Sequence, residues 1–251
     1  MLSVVIITKN EAHAIEECLK SVAWAEEIIV VDSGSTDETV NICQKMCAKV
    51  TITADWPGFG KQKNRALDLA TQPWVLSIDA DERVTPELQN EIKLAIATNN
   101  DLSYRMPRSS SYCGQFIKHS GWTPDYITRL LKRGHGKFSD DLVHERLLTE
   151  HPTETLKSPL LHISYIDLEE VIDKINRYST AGADMSLAIG KSATLGKAIR
   201  HGIWAFVRTY FIRLGFLDGK MGFVLAVSNA ETTYYRYLKL ALLNQNNDNK
   251  S

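Results

Sequence analysis

Two aspartates, Asp79 and Asp81, offer the clearest chemistry in this chain, because they directly follow an apolar run at 74–78. Carboxylates two residues apart on an extended backbone point to the same side. Such a pair suits a hard divalent cation that keeps some waters and takes its remaining ligands from a substrate diphosphate. The alternative for an isolated D-x-D pattern is a solvated turn at the end of a strand, so the surrounding elements decide between the two.

Those elements alternate between strand and helix over about the first hundred residues. Apolar, β-branched runs predict strands at 3–8, 27–31, 49–53 and 74–78. Apolar residues at helical spacing predict helices at 11–23, 38–46, 61–70 and 86–97. This alternation indicates a parallel sheet with helices on both faces, and such a sheet binds ligands beyond the carboxyl ends of its strands. We therefore expect the polar clusters at 8–11, 32–37 and 79–83 to meet at one edge.

The composition limits the possible function classes. The chain has 251 residues, of which 44% are hydrophobic, so it can bury a substantial core. Its formal net charge of −1 argues against nucleic acid as a partner. No apolar run reaches the roughly 20 residues that a membrane-spanning helix needs, and the N-terminus lacks a signal-peptide pattern. Four cysteines without a C-x-x-C pair fit the reducing cytosol, so we expect a cytoplasmic protein.

The second half of the chain changes character. It is rich in turns from 99 to 162 and then reads as helical, which predicts a catalytic domain at 1–165, a helical module at 166–244 and a disordered tail at 245–251. Between 197 and 220, aromatic and aliphatic residues interleave with five cations. This mixture predicts an amphipathic region lying on anionic lipid, with a packing or oligomer surface as the alternative.

Four segments, in this order along the chain, match a known pattern: VVIITKNE at 4–11, IVVDSGSTD at 29–37, FGKQKNRA at 59–66 and LSIDADE at 76–82. With these motifs the chain resembles the family 2 glycosyltransferases. The resemblance implies an α/β fold of GT-A type, a Rossmann-like, mostly parallel sheet with helices on both faces, plus a C-terminal helical module. Motifs further along are similar to the lipopolysaccharide-core β-glucosyltransferases of Gram-negative bacteria, and they lie at 121–125, 129–130, 143–145 and 214–219.

The resemblance implies an inverting transfer of a hexose, glucose from UDP-glucose, to a heptose of the lipid A-linked inner core. The partners would be the UDP-hexose donor, a lipid-linked oligosaccharide acceptor and the inner face of the cytoplasmic membrane. One alternative is transfer to polyprenyl phosphate or to a capsule or glycan intermediate. Two other classes are disfavoured. A nucleotidyltransferase would need a Gly-rich basic loop, which 8–11 lacks, and a non-catalytic nucleotide-binding scaffold would not need the paired aspartates.

The resemblance also assigns residues to the donor, namely Thr8, Asn10, Glu11, Asp32, Ser33, Lys61, Arg65 and Asp79. Asp32 would accept a hydrogen bond from uracil N3–H, which needs an acceptor; the alternative is an Asx-turn. Lys61 and Arg65, four apart on a helix, would serve the diphosphate, unless they form a solvated basic face. Asp81 would hold Mg²⁺ or Mn²⁺, which offsets charge on the leaving diphosphate.

An inverting transfer also needs a base that takes the proton of the acceptor hydroxyl. The candidate carboxylates are Asp140, Asp141 and Glu145, and we favour Glu145 because the subfamily motif falls on 143–145. Asp141 is the second choice, since many family 2 enzymes have an aspartate in this region. For three further side chains the sequence leaves two alternatives, a structural role or contact with a ligand. These residues are Trp122, His144 and His162.

Overall fold

A computed structural model describes residues 1–140 and 145–248 of the chain. The strands are β1 (Leu2–Thr8), β2 (Glu27–Asp32), β3 (Lys49–Ile52), β4 (Trp74–Asp79), β5 (Glu82–Val84), β6 (Ser103–Tyr112), β7 (Gln115–Phe116), β8 (Tyr126–Lys132), β9 (Lys137–Phe138), β10 (Leu147–Leu148), β11 (Thr153–Thr155) and β12 (Leu160–Tyr165). The helices are α1 (Ile15–Val22), α2 (Thr39–Lys45), α3 (Phe59–Leu69), α4 (Pro86–Thr98), α5 (Leu168–Ala188), α6 (Leu195–Val207) and α7 (Gly219–Asp248). A π-helical turn, Arg208–Ile212, and a 3₁₀ turn, Gly215–Asp218, connect α6 to α7.

The main sheet has the strand order β3-β2-β1-β4-β8-β6-β12-β5. Strands β3, β2, β1 and β4 are parallel, whereas β8 runs antiparallel to both β4 and β6. Every residue of β1 is buried, and alternate side chains enter different apolar clusters. Val4 and Ile6 pack in the cluster that includes α1, while Val5 packs in the cluster that includes Ala66 of α3. Helices therefore cover both faces, which confirms the predicted α/β fold of GT-A type.

The register of these strands places the polar clusters at one edge. Thr8 is paired with Asp32, and Ile7 is paired with Asp79. Because the strands are parallel, their carboxyl ends lie together, and so do the loops that follow them. The expected meeting of the segments after β1, β2 and β4 is confirmed.

The chain folds into two compact units: Met1–Ser109 with Asp125–His162, and Ser110–Pro124 with Ile163–Ser251. This division ends the first unit close to the predicted boundary after 165. It differs for 110–124, because hydrogen bonds tie that segment to the later part of the second unit. The buried carboxylate of Asp218 accepts from the backbone N–H groups of Lys118 and His119, at 3.0 Å each.

Helices α5, α6 and α7 form most of the second unit. Among the described residues, no helix combines the length and the apolarity that crossing a bilayer requires. Helix α7 continues to Asp248 and therefore includes the first part, 245–248, of the segment that was predicted to be a tail. A run of Asn and Gln is polar enough to resemble a tail, but helical hydrogen bonding continues through it.

Candidate active site

Asp79, the last residue of β4, is held by two cations of the first unit. Its Oδ1 lies 2.8 Å from Lys63 Nζ, and its Oδ2 lies 2.6 Å from Arg129 Nη2. Burial by itself would raise the pKa of this carboxyl, but the charges of Arg129 and Lys63 outweigh it and lower the pKa. Asp79 is therefore an anion whose two oxygens are fixed in place.

A fully buried carboxylate, Glu82, lies behind this pair. Its Oε1 is 2.9 Å from Arg129 Nη2, and its Oε2 accepts a hydrogen bond from the Asp79 backbone N–H at 2.9 Å. Burial raises the pKa of Glu82, whereas for Arg129 the two carboxylates outweigh burial and raise the pKa of the guanidinium. The backbone and the side chain of Asp79 are thus both clamped, which fixes the turn that carries Asp81.

Lys63 of α3 connects this cluster to the predicted base. Its Nζ lies 2.8 Å from Asp79 Oδ1 and 2.8 Å from Glu145 Oε1, and only 4% of its side chain is exposed. The ammonium also lies 5.2 Å from the centroid of the Phe138 ring. The sequence prediction placed Lys63 on the helix but did not choose it as a site residue. The structure brings Glu145 and Asp79 together through it.

The two cations that were predicted for the diphosphate lie elsewhere on α3. Lys61 is exposed, and Arg65 makes a bidentate ion pair with Asp55, with both N–O distances at 2.8 Å. The buried side of α3 consists of Gly60, Gln62, Lys63 and Ala66, so Lys63 faces the site while Lys61 does not. Lys61 and Arg65 as diphosphate ligands remain predictions.

Asp81 lies in a cavity of about 210 Å³ at the end of β4. The lining residues are Ile7, Glu11, Phe59, Lys63, Asp79, Ala80, Asp81, Glu145 and His162. The Asp81 Oδ2 atom lies 3.2 Å from His162 Nε2. A carboxylate oxygen beside an imidazole nitrogen, both facing a polar cavity, is a donor set that fits a divalent cation such as Mn²⁺. Asp81 and His162 are therefore the residues that could hold a metal ion.

A second cavity, of about 480 Å³, shares three residues with the first: Lys63, Asp79 and Glu145. Its other lining residues are Arg108, Asp125, Tyr126, Ile127, Thr128, Arg129, Phe138, Arg146 and Leu147. Glu145 thus contacts both cavities, with one carboxylate oxygen bound to Lys63. A carboxylate between two adjoining polar cavities has the placement that a proton acceptor between two substrates needs.

The polar cluster after β1 and β2 is tightly hydrogen-bonded within itself. Asp32 is fully buried, and its carboxylate accepts from Thr8 Oγ1 at 2.8 Å and from the backbone N–H and Oγ of Ser35 at 2.7 and 2.5 Å. Asn10 joins the same turn, because its backbone N–H donates to Ser35 Oγ at 2.8 Å. Ser33 is also buried, and its Oγ accepts from Gln62 Nε2 at 3.0 Å. The Asp32 carboxylate thus closes the turn after β2 through the backbone N–H three residues further on, and its role towards a nucleotide remains a prediction.

Four candidate residues from the sequence analysis remain to be placed, namely Asp140, Asp141, His144 and Trp122. Asp141, the second choice as base, and His144 lie outside the described residues. Asp140 is exposed and is not among the residues that line either cavity. Trp122 packs against Tyr112 and Tyr165 in the apolar cluster of the second unit, with ring centroids 5.9 and 6.0 Å away. These ring contacts correspond to the structural one of the two roles that were considered for Trp122.

Sequence comparison gives matches over most of the chain. The family model for Glycosyl transferase family 2 matches residues 3–154. The lipopolysaccharide core biosynthesis glycosyltransferase LpsC of Rhizobium meliloti (strain 1021) is 32% identical over 260 residues, which cover 94% of this chain and 93% of LpsC. An uncharacterized glycosyltransferase of Rickettsia bellii (strain RML369-C) is 33% identical over 264 residues, which cover 97% of this chain and 86% of that protein.

Solved structures give weaker matches. Staphylococcus aureus TarS has a TM-score of 0.49 at 18% identity, over 87% of this chain and 45% of the TarS chain. Glucosyl-3-phosphoglycerate synthase from Mycobacterium tuberculosis, solved with Mn²⁺, UDP and glucosyl-3-phosphoglycerate, has a TM-score of 0.37 at 27% identity. That match covers 45% of this chain and 44% of the synthase chain.

Proposed function

This chain belongs to the family 2 glycosyltransferases, and from that premise we propose that it transfers glucose from UDP-glucose, with inversion, to a heptose of the lipid A-linked lipopolysaccharide inner core. The observation that carries the proposal is that Glu145, Asp79 and Asp81 line one cavity at the carboxyl end of β4, and that Glu145 also faces a second cavity. The acceptor class is supported by the 32% identity with LpsC over nearly the whole of both chains.

Glu145 is the base in this proposal. It takes the proton of the acceptor hydroxyl in the second cavity while the sugar carbon is attacked from the opposite face. The Lys63 ammonium, 2.8 Å from Glu145 Oε1, fixes the orientation of the carboxylate and leaves its other oxygen for the hydroxyl. General base catalysis contributes about 10²- to 10⁴-fold to a rate, so this role is large enough to measure.

Asp81, with His162 beside it, would hold Mg²⁺ or Mn²⁺ next to the donor. When bound, the ion offsets the charge that develops on the leaving diphosphate. Asp79 keeps its position when the ion binds, because Lys63 and Arg129 hold both of its oxygens. Its remaining lone pairs can accept hydrogen bonds from the ribose hydroxyls. Glu11, which lines the same cavity, borders the nucleoside side.

Uracil is the proposed base of the donor nucleotide, with Asp32 as its recognition group. For Asp32 to accept from uracil N3–H, the Ser35 side chain must turn away from Asp32 Oδ2, which it contacts at 2.5 Å. That rearrangement is local, since Ser35 belongs to the loop between β2 and α2. Thr8, Asn10 and Ser33 surround this loop and would complete the nucleoside site.

The lipid-linked acceptor places the enzyme on the inner face of the cytoplasmic membrane in this proposal. Residues 197–220 provide the attachment, because Ile203, Trp204 and Phe211 are each more than half exposed and lie among Lys and Arg side chains. Apolar burial gives this attachment its depth, and each cation near anionic lipid adds about 1 kcal/mol.

A donor screen tests the proposal. Release of nucleoside diphosphate from UDP-, ADP- and GDP-hexoses is measured with Mg²⁺, Mn²⁺ or chelator. We expect hydrolysis of UDP-glucose with metal, and its loss in Asp81→Ala. Asp68→Ala, which removes an exposed carboxylate of α3, is the matched control and should keep full activity. Preference for an ADP-sugar would overturn the donor assignment, and full activity of Asp81→Ala in chelator would overturn the metal site.

A further inference from the structure

Helices α6 and α7 of the second unit form an open apolar groove of about 390 Å³. Ile199, Gly202, Ile203 and Phe206 line it from α6, and Val227, Ala230, Glu231 and Tyr234 line it from α7. Most of this lining is hydrocarbon or aromatic ring. At roughly 30 Å³ for a water-sized group, which is close to the size of a methylene, the volume of the groove corresponds to about a dozen such groups.

The packing of the two helices explains the groove. Gly202 lets α6 approach α7 closely, since a Cβ atom at this position would lie 3.1 Å from Tyr234 Cβ. On the solvent side of this contact the side chains diverge, so Ile203 remains 61% exposed and Ile199 is also exposed. Apolar side chains left open around a concave surface mark a binding site for an apolar ligand or partner.

The charges around the groove indicate the chemistry of that ligand. Arg200 lies on α6 three residues before Ile203 and four before Trp204, so these side chains share one outward face. Arg208, Arg213 and Lys220 are exposed on the segment that follows. The one acid between 197 and 220 is Asp218, and its carboxylate is buried and bound to backbone N–H groups. Glu231, on the α7 side, is the acid among the groove-lining residues.

We propose that the groove between α6 and α7 binds one acyl chain of an anionic glycerophospholipid, with the phosphate of its headgroup near Arg200. The apolar walls take the chain, and the excess of cations on the α6 side takes the headgroup. This deepens the membrane attachment proposed above, on which it rests, because it gives the enzyme a defined lipid site instead of a general apolar contact. A second copy of the chain covering the groove is the competing occupant.

The test uses the full chain and vesicles of phosphatidylcholine and phosphatidylglycerol, in which the phosphatidylglycerol carries a photoactivatable diazirine in one acyl chain. After irradiation, labelled peptides are mapped by mass spectrometry. We expect labelling concentrated on the groove-lining residues of α6 and α7. Ile203→Glu puts a charge at the open edge, and Val227→Trp fills the groove, so each should lower this labelling by about tenfold or more. Ile172→Glu is the matched control, because Ile172 is 55% exposed on α5 and does not line the groove.

The outcomes separate this inference from the proposed function. Hydrolysis of UDP-glucose by Val227→Trp and Ile172→Glu should equal that of the wild type. The wild type could sediment with the vesicles while its labels spread evenly over 211–217 and the groove, or while labelling persists in both groove variants. Either result would show that the groove is not the lipid site and would leave the proposed membrane attachment intact. If the wild type does not sediment, both are wrong. Protein–protein cross-links through the groove in place of lipid labels would identify a second copy as the occupant.

Discussion

Replacing Lys63 by Met tests whether the buried ammonium organises the site, because Met keeps most of the hydrocarbon stem and removes the charge. Lys63 lies 2.8 Å from both Asp79 Oδ1 and Glu145 Oε1. Removing one partner of a buried ion pair destabilises a protein by about 3–5 kcal/mol. Here Asp79 keeps Arg129 at 2.6 Å, and the Asp79 and Glu145 side chains are 29% and 15% exposed. We therefore expect Lys63→Met to lower the free energy of unfolding by about 3 kcal/mol, the lower end of this range.

The assay is urea unfolding followed by circular dichroism, with Lys61→Met as the matched control. Lys61 is exposed on the same helix, so its replacement should change the free energy of unfolding by about 0.5 kcal/mol or less. A double-mutant cycle with Glu145→Gln should give a coupling energy of about 1–3 kcal/mol between Lys63 and Glu145, as for residues in direct contact. Equal stability of Lys63→Met and Lys61→Met, or a coupling energy near zero, would show that the Lys63 ammonium does not hold Asp79 and Glu145 in place.

Three further predictions concern stability. Burial would raise the pKa of Glu27, but hydrogen bonds from Lys49, Ser3 and Thr71 lower it from 4.5 to about 2. The ionised carboxylate therefore stabilises the folded state by about 3 kcal/mol above about pH 5, and this contribution disappears as the pH falls towards 2. The difference in free energy of unfolding between the wild type and Glu27→Gln, measured in urea at several pH values, should shrink over that range; a constant difference would contradict the assignment. Gly222→Ala should lower the Tm by many degrees, because a Cβ atom there would lie 1.8 Å from the Gly215 carbonyl oxygen, whereas Gly196→Ala, with open space around it, should be neutral or stabilising. Asp218→Asn should cost about 2–3 kcal/mol in urea unfolding, since an amide cannot accept from all of the Lys118, His119 and Ser120 donors, and an unchanged midpoint would argue against this hydrogen-bond cluster.

The sequence predicted the sheet, and the edge at which its polar clusters meet, for a physical reason. Strands that are buried on both faces are mostly apolar, as in β1 and β4, whose side chains are nearly all buried. Once the strands are parallel, their carboxyl ends lie at one edge, so the positions of Asp32 and Asp79 follow from the strand order. The Asp79–Asp81 pair needed no long-range information.

The rest of the site depends on contacts between residues far apart in the sequence. His162 reaches Asp81 because β12 pairs with β5, which places His162 opposite Glu82 across a separation of 80 residues. Periodicity within one segment carries no signal for that register. Arg129 was visible in a motif, but its role depends on the antiparallel pairing of β8 with β4.

The difference in burial between Lys61 and Lys63 was not visible in the sequence for a related reason. Both residues lie on α3, and spacing alone favoured a pair four residues apart, Lys61 with Arg65. The buried face of α3 carries both Gly60 and Lys63, and Gly60 packs closely against Ser139, since a Cβ atom on Gly60 would lie 1.9 Å from the Ser139 carbonyl oxygen. That contact spans 79 residues of sequence, and Lys63, on the same face, lies beside Asp79.

The central claim is that Glu145 is the base of a glucosyl transfer, and transfer by Glu145→Gln tests it most directly. Turnover is measured with UDP-glucose and a heptose-terminated, lipid-linked acceptor, beside calorimetry of UDP binding. We predict a loss of turnover of about 10²-fold or more with UDP affinity unchanged, because Gln keeps the shape of the side chain but cannot take the proton. Turnover of Glu145→Gln equal to that of the wild type, with Asp141→Asn inactive, would contradict the account and move the base to Asp141.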